Sequence, residues 1–336
     1  MSLRYDFASD NTAPAAPEAL AALVAANQGF AASYGADDVS ARAADLIRQM
    51  LDVDAEVRFV ASGTAANAIC LAALARPFEA VLAHAHAHVA TDETGAPGLF
   101  GHGLGIIGLP GASGRIETEA LARALARPES PHAQPPGALS LTQATEYGAV
   151  YAVDHIAALA GQARERGLGV HLDGARLANA AAAGFDLRTL KTLDLDLLVI
   201  GGTKAGMTPA EAIVIFRKDL ARRFDARLKQ SGQLPSKSRF YAAPFVGMLE
   251  SGAFIDRAAH ANRMAARLAK ACPFPLTHPV EANAVFVEMD EARLAALRAA
   301  GWAVYRFIDG SVRFMCSWAT TEETVDQLAE TLSAIA

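Results

Sequence analysis

An amine and a carboxylate, each placed directly after an apolar run, carry the clearest chemistry in this sequence. The run from Asp194 to Ile200 has the pattern of a buried strand, breaks at Gly201-Gly202 and leads to Lys204. Glycines at such a break let the backbone turn sharply and approach a ligand, with the lysine amine at the strand's carboxyl end. Asp173 ends a second such run, Gly169 to Leu172. A lysine for a Schiff base and a carboxylate that keeps a pyridine nitrogen protonated together predict pyridoxal phosphate as cofactor.

The segment that begins Ser62-Gly63-Thr64 predicts a phosphate site. It lies where the strand-like run Val57 to Ala61 gives way to a helical one. The free amides and positive dipole end of a helix start attract an anion, and the hydroxyls of Ser62 and Thr64 add donors. Any capped helix after a strand looks similar, so the prediction depends on Asp173 and Lys204 in the same sheet.

Two arginines are placed to meet anionic groups. Arg176 follows Asp173 near the next helix start, where it either forms a local ion pair with Asp173 or reaches a ligand oxygen. Arg313 lies inside the apolar run Ser311 to Cys316, where a charge demands a partner. A guanidinium suits a substrate carboxylate held by two hydrogen bonds, and an interdomain salt bridge is the alternative.

Histidines alternate at His84, His86 and His88. On an extended strand they would share one face, as zinc ligands can. No acidic or cysteine ligand is spaced to complete such a site, so we predict no metal. We expect His88 to lie flat on the cofactor ring, and Asp92 and Glu93 are either solvated charges or groups that orient its imidazole.

The stretch Gly103 to Gly108 matches the Gly-x-Gly-x-x-Gly spacing of dinucleotide-binding loops. Its glycines overlap an apolar strand, and Leu109-Pro110-Gly111 follows where the motif requires a helix start. We therefore interpret these glycines as structural turns.

Strand-like and helical runs alternate from Glu56 onward, which is typical of β/α crossovers and a mainly parallel sheet. After the strand Ala212 to Phe216 the pattern changes to long helical stretches, and strands near Glu281 to Met289 and Val312 to Ser317 flank a helix. We predict an α/β protein with a large mainly parallel-sheet domain over residues 1–235 and a smaller α+β C-terminal domain over 236–336.

Composition limits the partners. A net charge of -6, a pI near 5.9 and dispersed basic residues argue against nucleic acid or an anionic membrane. Cys70, Cys272 and Cys316 are widely spaced and odd in number, as a reducing compartment would tolerate. The N-terminus lacks a signal-like apolar stretch, and no segment approaches the ~20 apolar residues of a membrane span. We expect a cytoplasmic protein with a small-molecule substrate.

A series of segments follows an order typical of one enzyme family: Phe7 to Asn11, Tyr34-Gly35, Ser62 to Asn67, Ala87-His88, Asp92 to Pro97, Thr142 to Gly148, His171 to Arg176, Gly201 to Lys204, Lys229 to Leu234 and Arg313 to Trp318. This order resembles the fold-type I pyridoxal phosphate enzymes and, among them, the low-specificity L-threonine aldolases of the β-eliminating lyase family. The resemblance covers essentially the whole chain. Several segments are common individually, but their order is highly specific.

The resemblance implies a role for each matching residue. Lys204 would form the Schiff base, Asp173 would pair with the pyridinium nitrogen and His88 would stack on the ring. The remaining groups would hold the cofactor phosphate and ring oxygen and the substrate carboxylate: Ser62, Gly63 and Thr64 for the phosphate, Arg176 for the ring oxygen near the carboxylate, and Ser9 and Arg313 for the carboxylate itself.

The resemblance also implies a homotetramer built from dimers, with active sites completed by a neighbouring chain. Our candidates for residues donated across that interface are Tyr34 at the substrate, Lys237 at the cofactor, and Lys229.

The implied activity is retro-aldol cleavage of L-threonine, L-allo-threonine and related β-hydroxy-α-amino acids to glycine and an aldehyde. Where many relatives have Thr-His-Asn-Gly, this chain has Thr145-Glu146-Tyr147-Gly148, so a second active-site histidine is missing. His88, or a water that it orients, is then the expected base. The alternatives are another fold-type I lyase or aminotransferase acting on a small amino acid, and a cofactor-binding sensor without catalysis. Lys204, Asp173 and Arg313 together argue against the sensor.

Overall fold

A seven-stranded mixed sheet forms the centre of the larger part of the molecule. The computed structural model describes residues 3–336. In chain order the strands are β1 (Glu56–Val60), β2 (Ala80–His84), β3 (Gly105–Leu109), β4 (Pro136–Thr142), β5 (Gly169–Gly174), β6 (Leu197–Gly201) and β7 (Glu211–Ile215). Their spatial order is β1-β7-β6-β5-β4-β2-β3. Neighbouring strands are parallel except that β7 runs antiparallel to both β1 and β6.

Helices cover the sheet because the crossovers between parallel strands must pack their apolar faces on it. In chain order they are α1 (Pro17–Ala26), α2 (Asp38–Leu51), α3 (Gly63–Leu74), α4 (His88–Thr91), α5 (Ala96–Phe100), α6 (Thr118–Leu125), α7 (Val153–Glu165), α8 (Leu177–Ala182), α9 (Lys218–Ala221), α10 (Phe224–Gln230), α11 (Arg239–Glu250), α12 (Ala253–Ala271), α13 (Glu291–Ala299) and α14 (Glu322–Ile335). Strands β5, β6 and β7 are buried along their whole length, as expected for strands covered on both faces.

A second, antiparallel sheet lies in the C-terminal part. It consists of β8 (Ala284–Val287), β9 (Tyr305–Arg306) and β10 (Val312–Met315) in the order β8-β10-β9, and α12, α13 and α14 supply buried residues to the same core. The predicted α/β fold, with a large mainly parallel sheet and a smaller α+β part, is confirmed. Within residues 3–336, no helix combines the length and apolarity needed to cross a bilayer.

Each of the two parts contains residues from the predicted range of the other. Helix α11 follows residue 236, yet its Phe245 and Met248 belong to the main core that contains α2 and the large sheet. At the other end of the chain, Phe7 is buried in the core of the small sheet, where its carbonyl accepts from Met315 N at 2.9 Å. The domain ranges 1–235 and 236–336 stay a prediction.

Candidate active site

A cavity of about 750 Å³ lies at the carboxyl ends of β5 and β6, beside the start of α3. Open α/β sheets bind ligands at this edge. Residues 305–308 of the small part also border the cavity, so both parts form its walls. Most of the site residues predicted from the sequence line it: Ser9, Ser62, Gly63, Thr64, His88, Asp173, Arg176, Lys204 and Arg313.

The end of β6 brings Lys204 to the cavity. A Cβ atom added at Gly201 would lie 2.2 Å from the carbonyl oxygen of Ala175, and one added at Gly202 would lie 2.3 Å from that of Ala210. The two glycines are therefore required by close approach of neighbouring backbone, whereas the sequence suggested close approach to a ligand. Among residues 3–336, no carboxylate forms an ion pair with the Lys204 amine. The amine is thus available to a ligand.

Asp173 is held rigidly at the end of β5. Its Oδ1 accepts a hydrogen bond from Ala175 N at 2.9 Å, and its Oδ2 accepts one from the Asn67 side-chain amide at 2.8 Å. His171, two residues earlier on the strand, is fully buried, and burial lowers its pKa to about 4. The carboxylate is thus fixed by neutral donors and stays free to pair with a cation in the cavity.

The start of α3 faces open space. Ser62 caps this helix, with its hydroxyl accepting from Ala65 N at 3.3 Å. A Cβ added at Gly63 would meet nothing within 4 Å, so this helix end borders the cavity directly. Free amides and a positive dipole end there fit an anionic group such as a phosphate.

Arg176 pairs with Asp10 and not with its sequence neighbour Asp173. Its Nε and Nη2 atoms donate to the two carboxylate oxygens of Asp10 at 2.7 and 3.0 Å. Burial acts to raise the pKa of Asp10, but the charge and hydrogen bonds of Arg176 outweigh it and lower that pKa. Asn283 also donates to Asp10, at 3.2 Å. The pair fixes the guanidinium at the cavity wall.

Arg313 is only 8% exposed and finds no carboxylate partner among residues 3–336. Its guanidinium lies 5.0 Å from each of the Tyr305 and Phe307 ring centroids and donates to the Tyr305 hydroxyl and weakly to Ala8 O at 3.4 Å. Its Nε is buried without a hydrogen-bond partner. Burial, with repulsion from Arg176, lowers its pKa to about 10. A cation with an unused donor at a cavity wall fits an anionic ligand better than the interdomain salt bridge.

His88 begins α4 and lines the cavity. Its Nδ1 lies 2.9 Å from Glu93 Oε1, so of the two acidic neighbours Glu93 orients the ring and Asp92 does not. The hydrogen bond to Glu93 raises the pKa of His88 against the effect of burial. Burial in turn raises the pKa of Glu93.

The three histidines do not share a strand. His84 ends β2, His86 lies in the following turn and His88 begins a helix, so the premise that all three alternate on an extended strand is wrong. Within the described part of the chain, no three His, Cys, Asp or Glu side chains are grouped to hold a metal ion.

Tyr34, Lys229 and Lys237 do not line the cavity of their own chain. Instead they are close to one another. The Lys229 amine lies 4.5 Å from the centroid of the Tyr34 ring, which is 51% exposed, and Tyr34 N donates to Ser236 O at 3.1 Å. Delivery of these side chains to a neighbouring chain stays a prediction.

Several polar groups that the structure places at the cavity had no role assigned from the residue pattern. Asn67 lies one helical turn after Gly63, so the i, i+4 spacing could have placed it on the cavity face of α3. Glu211 begins the apolar strand β7, and its Oε2 accepts from Gly202 N at 2.7 Å. Burial raises the pKa of Glu211 to about 7 while the charge of Lys204 opposes that shift. A charged residue in an otherwise apolar strand is the sequence signal that could have identified Glu211 as a site residue.

Comparison with known proteins gives concordant matches. The beta-eliminating lyase family model matches residues 6–292. A curated low specificity L-threonine aldolase from Pseudomonas aeruginosa is 44% identical over 98% of this chain and 97% of its own length. A threonine aldolase structure from Leishmania major is 30% identical and covers 99% of this chain and 100% of its own, with a TM-score of 0.92. A serine palmitoyltransferase from S. paucimobilis with bound PLP, 17% identical over 100% of this chain and 87% of its own, shares the fold at a TM-score of 0.70.

Proposed function

The chain belongs to the beta-eliminating lyase family, and from that premise we propose that it is a pyridoxal phosphate-dependent aldolase that cleaves L-threonine, L-allo-threonine and related β-hydroxy-α-amino acids to glycine and an aldehyde. The observation that carries this proposal is one cavity lined by an unpaired lysine amine, a fixed carboxylate and a buried arginine with an unused donor. These groups are Lys204, Asp173 and Arg313.

The residues of the cavity fit the cofactor. The open helix end at Gly63 suits its phosphate, and the hydroxyls of Ser62 and Thr64 add donors. Asp173 would face the pyridine nitrogen, and Lys204 would form the covalent bond to the aldehyde. When bound, the cofactor accepts the electron pair released at the substrate's α carbon.

The remaining groups orient the substrate and the ring. Arg313, with Ser9 beside it, would bind the substrate carboxylate through charge-assisted hydrogen bonds. Arg176, fixed by Asp10, would meet the ring oxygen, and His88 would lie on the ring face, with its imidazole held by Glu93. Holding the carboxylate sets which bond at the α carbon lies perpendicular to the ring, and this selects the bond that breaks.

The assembly and location are part of the same proposal. The protein would be a homotetramer in the cytoplasm, with Tyr34, Lys229 and Lys237 reaching a neighbour's site. The exposure of these three residues, away from the cavity of their own chain, supports their delivery to a neighbouring chain. Two inactive variants, Lys204→Ala and Lys237→Ala, would then regain activity when mixed, because hybrid assemblies contain one intact site. Light scattering gives the number of chains, and no recovery on mixing contradicts shared sites.

The experiment for the activity is aldehyde release from L-threonine, L-allo-threonine and L-phenylserine, with the D enantiomers as controls. Borohydride reduction followed by peptide mass spectrometry should place the cofactor on Lys204, and Lys204→Ala should yield no adduct. Pyruvate from serine, or a keto acid from alanine, would favour another lyase or an aminotransferase. A cofactor absorption band without any turnover would favour a sensor.

A further inference from the structure

Glu146 lines the cavity and has a carboxylate oxygen without a hydrogen-bond partner. The residue lies in the turn after β4 and is 7% exposed. Its Oε1 accepts from His88 N at 2.9 Å and from the Thr142 hydroxyl at 3.0 Å. Its Oε2 is buried and has no hydrogen-bond partner, although the residue lines the same cavity as Lys204. A buried acceptor without a partner is costly unless a ligand supplies one.

The surroundings of Glu146 make it a stronger base than an ordinary carboxylate. Burial raises its pKa, and the negative charge of Asp173 adds to the effect. Two titratable groups on other elements also interact with the Glu146 carboxylate. The positive charge of Arg176 acts against the rise in the pKa of Glu146. The Tyr151 phenol stays neutral, because burial and the charge of Glu146 both disfavour its ionisation. The carboxyl is thus suited to exchange a proton closer to neutral pH.

His88 is less suited to accept a proton. Its Nδ1 is engaged by Glu93, and that hydrogen bond raises its pKa, so the imidazolium persists to higher pH. A protonated ring donates hydrogen bonds and has no free lone pair. The acceptor with nothing bound to it, Oε2, belongs to Glu146, a residue that lines the same cavity.

We propose, on the basis of the function above, that Glu146 is the catalytic residue that takes the proton from the substrate's β-hydroxyl group, in the place of His88. The hydroxyl O–H bond breaks as its proton passes to Oε2, and its electron pair becomes the second carbon–oxygen bond of the aldehyde. The Cα–Cβ bond breaks, and its electron pair stays on the α-carbon side. One proton added at the α carbon completes glycine, so the proton lost from oxygen is balanced and no oxidant or reductant is needed.

Glu146→Gln is the direct test because the amide keeps the Oε1 acceptor for His88 N and the Thr142 hydroxyl while it removes the base. We expect aldehyde release to fall by about 100- to 10,000-fold, the usual contribution of a general base. Exchange of the glycine α-proton in heavy water breaks no hydroxyl O–H bond and should stay within about 3-fold of the wild-type rate if only that base is lost. Glu250→Gln is the matched control, since Glu250 lies outside the cavity and pairs with Arg42 on the surface.

A second measurement does not depend on turnover. Infrared titration of the cofactor-free protein should show buried carboxyls that keep their protons above the usual pH range of glutamate, among them Glu93 and Glu211. The difference between wild type and Glu146→Gln should contain the contribution of Glu146 if the inference is right and lack it if the inference is wrong. His88→Phe, which retains a flat ring, should lose less aldehyde release than Glu146→Gln.

The outcomes separate this inference from the activity itself. If the wild type releases aldehyde and Glu146→Gln does so at a similar rate, the inference fails and the activity stands. Equal loss of aldehyde release and glycine exchange would make Glu146 structural and overturn the inference, as would a larger loss in His88→Phe. A wild type that releases no aldehyde would overturn both.

Discussion

Arg176 and Asp10 form a bidentate ion pair that joins the end of β5 to the beginning of the chain, with both donor–acceptor distances at or below 3.0 Å. The Asp10 side chain is 1% exposed and that of Arg176 is 10% exposed. Because Asn283 also donates to Asp10, the pair links the large sheet to the small part of the molecule. The orientation of one cavity-lining arginine therefore depends on a residue 166 positions away in the sequence.

Asp10→Asn should destabilise the protein strongly. Removing one partner of a buried ion pair leaves the other charge uncompensated, which typically costs about 3–5 kcal/mol. Since the pKa of Asp10 is lowered in the folded state, the stability it contributes is present above about pH 4 and is lost as the pH falls through that lowered value. Urea unfolding of wild type and variant at neutral pH and near pH 3 measures the difference. Asp52→Asn, which breaks an exposed pair with Lys191, should change stability little, and an equal effect of the two variants would contradict the argument.

Asp173→Asn should retain the cofactor while losing most of the aldehyde-releasing rate. The amide oxygen can still accept from Ala175 N, but a neutral group cannot hold a cationic ring nitrogen. Loss of a charge-assisted hydrogen bond costs about 1.5–3 kcal/mol, or roughly 10- to 150-fold in rate. Steady-state kinetics and cofactor titration check this, with the exposed Asp256→Asn as control. An unchanged rate would remove Asp173 from the proposed role.

Arg313→Lys should weaken substrate binding more than it slows the chemical step. Lysine keeps the positive charge but lacks the two parallel N–H donors of the planar guanidinium. It also cannot reproduce the contact that the buried guanidinium makes with Tyr305. We expect KM to rise about 10- to 100-fold, equal to the loss of about 1.4–2.7 kcal/mol of binding free energy. Arg298→Lys, on the surface near Glu291, is the control. A drop confined to kcat would show that Arg313 does not hold the substrate carboxylate.

Local patterns predicted the residues whose role depends on their own strand or helix. The apolar runs before Asp173 and Lys204 became β5 and β6, and because parallel strands align their carboxyl ends, both side chains reached one edge of the sheet. Helix α2, Asp38 to Leu51, is likewise specified by local signals, namely its capping aspartate and its amphipathic spacing.

Residues whose role depends on distant contacts were not assigned. Asp10 meets Arg176 only after the chain start crosses to β5. Asn67 bridges Asp173 and Glu93 from a helix that precedes both of them in sequence. The Glu146 carboxylate was noted only as a departure from a family motif. Its Oε2 lacks a partner because of the conformation of the turn after β4, and no pattern of residue types predicts that conformation.

Glu93→Gln should lower the pKa of His88. In the native site the hydrogen bond from His88 Nδ1 to Glu93 raises that pKa, and the charge of Asp173 adds to it, while burial and Lys204 oppose it. Glutamine keeps an oxygen for Asn67 but removes the charge that favours the imidazolium, so the ring should lose its proton at lower pH. Histidine ring NMR across pH 5–9 measures the titration, and a His88→Phe spectrum identifies the resonance. A pKa that stays in place after this change, or rises, would mean that Glu93 does not set the protonation of His88, and the argument that assigns proton acceptance to Glu146 would lose its electrostatic support.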